Sequence, residues 1–203
     1  MEIRNTVLGI GSSPRKGGNS DVLLKQVLTG VRSEGVPARE IQLRDYHYLP
    51  CIGCEKCQNS TLCSGLNDGM QLIYPKLLEA RGLVLVSPTH NLNVTAWMKA
   101  FIDRLYCLYQ FSKDRPRQYT SSLAGQGRKM VLIAIGEQPG YEEAIGLTLD
   151  AMKIPFEFLG YELVGELPVT GIFDKGAVRS DSELMEKARS IGAQLAQAIA
   201  SQV

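Results

Sequence analysis

The residues best equipped for chemistry are four cysteines in one short stretch, Cys51-Ile-Gly-Cys54-Glu-Lys-Cys57-Gln-Asn-Ser-Thr-Leu-Cys63. The first three recur every third residue, and the fourth follows after a longer gap. A chain curling round a small object presents a thiolate to it at each such step. An iron–sulfur cubane takes one thiolate at each of its four metal corners, and compact C-x2-C-x2-C runs supply three of them. Zinc is the rival, although structural zinc sites more often draw two pairs of ligands from separated segments. A thiol-rich loop without metal is the third reading, and spacing alone leaves all three open. Disulfides need an oxidising compartment. The opening run Met1-Glu-Ile-Arg-Asn-Thr meets turn residues too soon for a signal peptide or a membrane span. A cytoplasmic location is therefore expected, where thiols stay reduced. The fifth cysteine, Cys107, falls in an apolar helical pattern and is expected to be a small core residue.

A second group is suited to an anion. Ser12-Ser-Pro-Arg-Lys-Gly-Gly-Asn-Ser20 offers hydroxyls at Ser12, Ser13 and Ser20, an amide at Asn19, and positive charge at Arg15 and Lys16. Gly17 and Gly18 let the backbone come close, and the stretch opens a helix whose first N–H groups favour a phosphate. It matches neither G-x-x-x-x-G-K-[ST] nor G-x-G-x-x-G, which disfavours a nucleotide triphosphatase and a dinucleotide fingerprint. The plainer reading is a Gly/Ser turn. A third segment, Pro88-Thr-His-Asn-Leu-Asn-Val-Thr, can offer backbone groups and amides to the edge of a heteroaromatic ring. Its plainer reading is a β–α connection with Asn93 as helix cap. Of the two histidines, His47 reads as a surface residue, and His90 as either a ring contact or a structural group.

These segments need a frame. A chain of 203 residues with 44% hydrophobic and 21% charged residues suits one soluble domain, residues 1–203, and a net charge of +1 advertises no polyanion partner such as nucleic acid. Short apolar runs read as strands at Thr6–Gly11, Ala38–Leu43, Gly82–Ser87, Lys129–Ile135 and Phe156–Val164. Helical spacing appears from Ser20 to near Gly35, from Asp68 onward, and over Thr95–Leu108, Tyr141–Lys153 and Ser182–Ala200, the last with Ser182 as N-cap. Residues 44–67, which carry the cysteines, show no period. A loop that long inside a compact domain is usually functional. Residues 112–128 read as a mobile polar loop. Alternating strands and helices imply an α/β fold, a doubly wound five-stranded parallel sheet of order 2-1-3-4-5. Its ligand belongs outside the carboxyl ends of the strands, where residues 12–20, 88–93 and 136–140 should meet.

In combination the motifs become specific. Gly11-Ser-Ser-Pro-Arg-Lys-Gly-Gly-Asn-Ser resembles the phosphate loop of the NAD(P)H-dependent FMN reductase superfamily, whose fold is flavodoxin-like. Ser87-Pro-Thr-His-Asn-Leu-Asn-Val-Thr-Ala-Trp-Met-Lys-Ala-Phe-Ile-Asp-Arg104 resembles its flavin loop and following helix. The cysteine run between them is similar to that of the iron–sulfur flavoprotein branch, which carries FMN and a 4Fe–4S cluster and works as a homo-oligomer. The likeness covers most of residues 5–135, with the three motifs in the family's order. It implies that Ser12, Arg15, Asn19 and Ser20 hold the FMN phosphate. It implies that Pro88, Thr89, His90, Asn91, Leu92 and Asn93 meet the ribityl chain and ring, and that Cys51, Cys54, Cys57 and Cys63 ligate the cluster. The chain departs from the family at His90, Asn91 and Leu92, where relatives often carry an aromatic pair and a glycine. Leu92 thus crowds a position usually left open.

The resemblance implies no catalytic side chain, because the flavin itself carries hydride and electron transfer. The leading expectation is an electron-transfer flavoprotein linking a one-electron carrier such as ferredoxin to a two-electron partner, as a homodimer or homotetramer. A clusterless NAD(P)H-dependent FMN or quinone reductase is the second expectation. A non-enzymatic metal- or flavin-binding module is the third.

Overall fold

The computed structural model describes residues 2–60, 62–140 and 142–201. Its main sheet contains β1 (Arg4–Gly11), β2 (Ala38–Gln42), β3 (Ala80–Pro88), β6 (Arg128–Ile135) and β7 (Tyr161–Val169). Strands β4 (Tyr109–Phe111) and β5 (Tyr119–Ser121) form a separate antiparallel ribbon. The main sheet runs in the order β2-β1-β3-β6-β7, and every pairing is parallel. Numbered by its own strands, that is the expected 2-1-3-4-5 flavodoxin-like order. Strands β3 and β6 are almost continuous apolar runs because helices cover both faces.

Helices α1 (Asn19–Ser33) and α5 (Ser182–Ala200) cover one face, packing Leu23, Leu28, Leu195 and Ile199 against Val84, Val86 and Val131. The two helices touch closely where glycines face each other. A Cβ on Gly30 would strike the Arg189 carbonyl, and one on Gly192 the Val27 carbonyl. Helices α2 (Met70–Glu79), α3 (Ala96–Arg104) and α4 (Glu142–Phe158) cover the other face, around Leu83, Leu85, Met130 and Leu132. No helix among the described residues is long and apolar enough to cross a membrane.

The sequence reading needs correction at several places. The last strand lies at Tyr161–Val169, not Phe156–Val164. Residues 156–158 remain helical because Ile145, Leu149, Met152, Phe156 and Leu159 form one buried stripe at helical spacing, carried through Pro155. Gly160, at φ 99°, ends that stretch. The expected start at Tyr141 lies outside the described residues. Helix α3 ends at Arg104 and tightens into a 3-10 turn, Leu105–Leu108. Cys107 is buried there, as expected of a core residue, though in that turn rather than in the α-helix. Burial pushes its thiol up to about 11. Residues 112–128 contain β5, and the aromatic rings of Tyr109, Phe111 and Tyr119 pack on one another across the ribbon. The α5 cap is Asp181, whose carboxylate accepts from the Leu184 N–H at 2.9 Å, rather than Ser182.

Candidate functional site

The strand order reverses between β1 and β3, and the segments leaving the carboxyl ends of β1, β3, β6 and β7 converge there. Gly18 caps α1 in extended conformation with no side-chain hydrogen bond. The first-turn N–H groups of Asn19, Ser20 and Asp21 therefore have no intrahelical partner and favour an anion. Asp21 would repel one, but its charge is committed elsewhere. Its carboxylate accepts from the Gly17 N–H at 2.7 Å and from both terminal nitrogens of Arg44, at 2.9 and 2.7 Å. Arg44 also donates to the Ser13 carbonyl at 2.9 Å, so this ion pair sets the curvature of the loop from behind.

The loop and its neighbours enclose a cleft of about 160 Å³ whose wall includes Ser13, Arg15, Asn19, Ser20, Thr89 and His90. Through Thr89 and Glu137 it adjoins a second hollow of about 260 Å³ flanked by Asn91, Leu92 and Gln138. Ser20 is buried at the wall. Ser12 stands behind the wall, its hydroxyl donating to the Val86 carbonyl at 3.3 Å. Asn19 lines the cleft while its amide ties down the segment after β7. It donates to the Asp174 carbonyl at 3.0 Å and accepts from the Val178 N–H at 3.4 Å. Arg15 lies over the Phe173 ring, 4.4 Å from its centre, and donates to the Phe173 carbonyl at 3.3 Å.

The segment after β3 is a tight turn. The N–H of His90 donates to the Asn93 carbonyl at 2.8 Å, and the N–H of Asn93 donates back to His90 at 3.1 Å. Between them Asn91 and Leu92 take φ values of 49° and 65°. Asparagine enters this left-handed region readily, whereas leucine does so at a cost. Pro88 closes β3, and the Thr89 N–H donates to the Ile135 carbonyl at 2.7 Å. The cap of α3 is Thr95, whose hydroxyl accepts from the Met98 N–H at 3.2 Å. Asn93, the expected cap, accepts instead from the adjacent Val94 N–H at 2.8 Å.

The cysteines form a second locus. Cys51, Cys54, Cys57 and Cys63 line one hollow together with Arg104 and Tyr106. Burial pushes the Cys57 thiol up, and the nearby Cys63, Cys51 and Cys54 push it further. Gly65 makes room for the second sulfur, since a Cβ there would strike Cys54 Sγ. A tetrahedral zinc site needs its sulfurs about 2.3 Å from one centre. No three His, Cys, Asp or Glu side chains among the described residues converge in that way. The void between the cysteines is about 20 Å³, so a larger occupant would have to spread the four side chains. The chemistry of the donor set, soft thiolates beside a buried cation, suits an anionic metal–sulfur group.

The loop bearing them is clamped at both ends. Arg104, with a side chain 1% exposed, pairs with Asp68 at 2.6 and 3.2 Å and donates to the Leu49 carbonyl at 2.8 Å. Asp68 in turn accepts from the Leu49 N–H at 3.1 Å. Burial would raise the Asp68 carboxyl, but these hydrogen bonds outweigh it and hold it below the usual carboxylate range. The Tyr48 hydroxyl donates to the Trp97 carbonyl at 2.7 Å, laying the loop entrance along α3. His47 is exposed, as expected, and its carbonyl accepts from the Gly69 N–H at 2.8 Å.

Sequence reasoning missed the segment after β7. Ile172, Phe173 and Lys175 belong to the cleft wall. Placing the last strand five residues too early hid a fourth strand-end loop. The Asp21–Arg44 and Asp68–Arg104 pairs were also missed, since nothing in spacing joins residues so far apart.

A parallel sheet of this order with an anion-favouring loop at its switch point defines a flavodoxin-like class. Residues 5–142 match the model of the NADPH-dependent FMN reductase family, and the chain belongs to that family of flavin-dependent oxidoreductases. An iron–sulfur flavoprotein of Methanocaldococcus jannaschii is 28% identical over 95% of this chain and 96% of its own. One from Archaeoglobus fulgidus is 28% identical over 96% of this chain and 80% of its own. Among solved structures, a flavone reductase superposes with a TM-score of 0.72 at 16% identity. That match covers 96% of this chain, which spans 63% of the reductase.

Proposed function

We propose that the chain is an electron-transfer iron–sulfur flavoprotein, with FMN in the strand-end cleft and a 4Fe–4S cluster on Cys51, Cys54, Cys57 and Cys63. The observation that carries this reading is that four cysteines from one loop line a single hollow beside a buried cation. The names of the relatives support it. Bound FMN supplies exchange of two electrons with a hydride donor such as NAD(P)H and of one electron with a metal centre.

The protein's own part is to bind, orient and screen. Ser20 and the first-turn N–H groups of α1 hold the phosphate, with Arg15 adding charge and Asn19 fixing the segment behind it. Ser12 acts from behind by fixing the loop to β3. Pro88 and Thr89 set the entry of the ring-binding segment, and His90, Asn91, Leu92 and Asn93 present their turn to the ring. No side chain is assigned a catalytic proton transfer. Electrons leave toward a one-electron carrier such as ferredoxin, or toward a small quinone or flavin acceptor. Pro88, Thr89 and His90 of the cleft wall precede α3 in the chain, and Arg104 of the cysteine hollow ends it. A homodimer or homotetramer fits the exposed apolar stripe of Leu147, Ile154 and Phe158 on α4.

Anaerobic purification with iron, sulfide and flavin assays tests the reading. About four irons per chain with one FMN is expected for a cubane, and Cys54→Ala should remove the iron and leave FMN. FMN without iron in anaerobic protein would leave a clusterless NAD(P)H-dependent FMN or quinone reductase, which the exposure of Cys51 and Cys54 favours. Colourless protein unchanged by added FMN would leave a non-enzymatic module.

A further inference from the structure

The guanidinium of Arg104 has both terminal nitrogens bonded and its third nitrogen idle. Its terminal nitrogens are committed to Asp68 and to the Leu49 carbonyl. Its Nε is buried and has no partner among the described residues. The same side chain is 1% exposed and lines the hollow with all four cysteines. A buried N–H without an acceptor is disfavoured, and such groups are rare in folded proteins. Asp68 and the Leu49 carbonyl give each terminal nitrogen at least one acceptor but leave this atom with none. An acceptor for it is missing, and the hollow is where one would sit.

We propose that Arg104 is a positioning and charge-balancing residue for the occupant of the cysteine hollow. Its Nε–H donates to a sulfur of that occupant, and its charge, only partly cancelled by Asp68 because the guanidinium and not the carboxylate lines the hollow, opposes the occupant's negative charge. The inference rests on the cluster reading above and goes beyond it. Four thiolates bring more negative charge than an iron–sulfur core cancels, and accepting an electron adds to the excess. A cation that cannot deprotonate, held in a low-dielectric wall, favours the reduced form. Arg104 therefore raises the reduction potential of the centre, while its ion pair with Asp68 keeps the guanidinium aimed. Cluster potential and loop anchoring are thus coupled through one side chain.

The test compares anaerobic wild-type protein, Arg104→Lys and the double variant Asp68→Asn/Arg104→Gln by redox titration followed with EPR, alongside iron, sulfide and FMN content. Lysine keeps a charge opposite Asp68 but has no Nε. The double variant removes both charges and leaves neither stranded. The double variant is expected to disfavour cluster reduction at least tenfold, a fall of 59 mV for one electron, with Arg104→Lys between it and wild type. The FMN potential should not move, because Arg104 is not part of the cleft wall. Folding is checked by FMN content, and if the double variant does not fold, Arg104→Lys alone decides by the direction of its shift. Unchanged cluster potentials in folded variants that retain iron would overturn this inference and leave the cluster reading intact. Wild-type protein without iron and sulfide would overturn both.

Discussion

The cleft and the cysteine hollow are assembled by opposite strategies. The cleft draws single residues from four segments, after β1, β3, β6 and β7, which meet only because a parallel sheet brings its carboxyl ends to one edge. The hollow draws its four thiols from thirteen consecutive residues, and the fold contributes little beyond α3 and its Arg104. One site is made by topology and survives local change. The other is made by local sequence and depends on whatever holds the loop in place. In this molecule the most buried tie is the Asp68–Arg104 ion pair, helped by the hydrogen bonds of Tyr48 to Trp97 and of Gln71 to the Cys63 carbonyl, so damage to the hollow should be large and confined, whereas damage to the cleft should be graded.

The largest expected effect tests that dependence. Asp68→Ala leaves Arg104 charged, buried and unpaired, and breaking a buried pair in this way typically costs about 3–5 kcal/mol. Chemical denaturation should show a loss of that size. A loss below about 1 kcal/mol would mean the loop is held elsewhere. The pH dependence carries the same information. The Asp68 carboxyl is held below its usual value in the folded state. Its contribution is therefore present above the unfolded carboxylate pKa near 3.9 and is lost as pH falls through the folded value. Wild-type stability should drop more steeply than that of Asp68→Asn as pH falls below about 4.

A second prediction sharpens the cleft. Ser20→Ala removes one hydroxyl from a charge-assisted contact worth about 1.5–3 kcal/mol. FMN should bind roughly 10- to 150-fold more weakly, with riboflavin unaffected. Equal loss of both flavins by fluorescence titration would place the hydroxyl away from the phosphate.

Legibility followed the same division. The cysteine cluster, the Ser/Gly/Arg loop and the strand order could be read from the chain because each is written in contiguous residues or a simple period. The segment carrying Phe173 and Lys175 could not, because Phe156-Glu-Phe158 alternates like a strand while Met152 and Phe156 pack as a helix. Arg104 reads as an ordinary helix-end cation until Asp68, far off in sequence, is brought against it. Likewise Asn19 reads as a phosphate ligand, and only the folded chain shows its amide bonded to Asp174 and Val178.

Within the hollow, Gly65→Ala isolates packing from charge. The added methyl would strike Cys54 Sγ, the tip of an exposed side chain that must turn aside to clear it. Anaerobic protein should lose most of its iron while keeping FMN and the Asp68–Arg104 pair. Full iron content in Gly65→Ala would show that the loop shifts freely, and that the hollow is less fixed than the cleft only in its chemistry.

The smallest effect concerns Leu92, the one place where the cleft carries backbone strain on a bulky residue. Its φ of 65° lies in the left-handed region, where a side chain with a Cβ is disfavoured by roughly 1–2 kcal/mol. Leu92 is 54% exposed, so truncation forfeits only part of its burial. Glycine would remove the strain but adds unfolded-state entropy of about 0.5–1 kcal/mol. The balance favours Leu92→Gly by roughly 0.5 kcal/mol, which thermal unfolding of the FMN-free protein can read. The ligand-bound protein gives the sharper answer. Leu92 flanks the hollow that continues the phosphate cleft, so a leucine that crowds the ring should make the glycine variant bind FMN more tightly as well. If stability rises and FMN affinity falls, the side chain is a ring contact, and the strained turn is held for binding rather than tolerated by the fold.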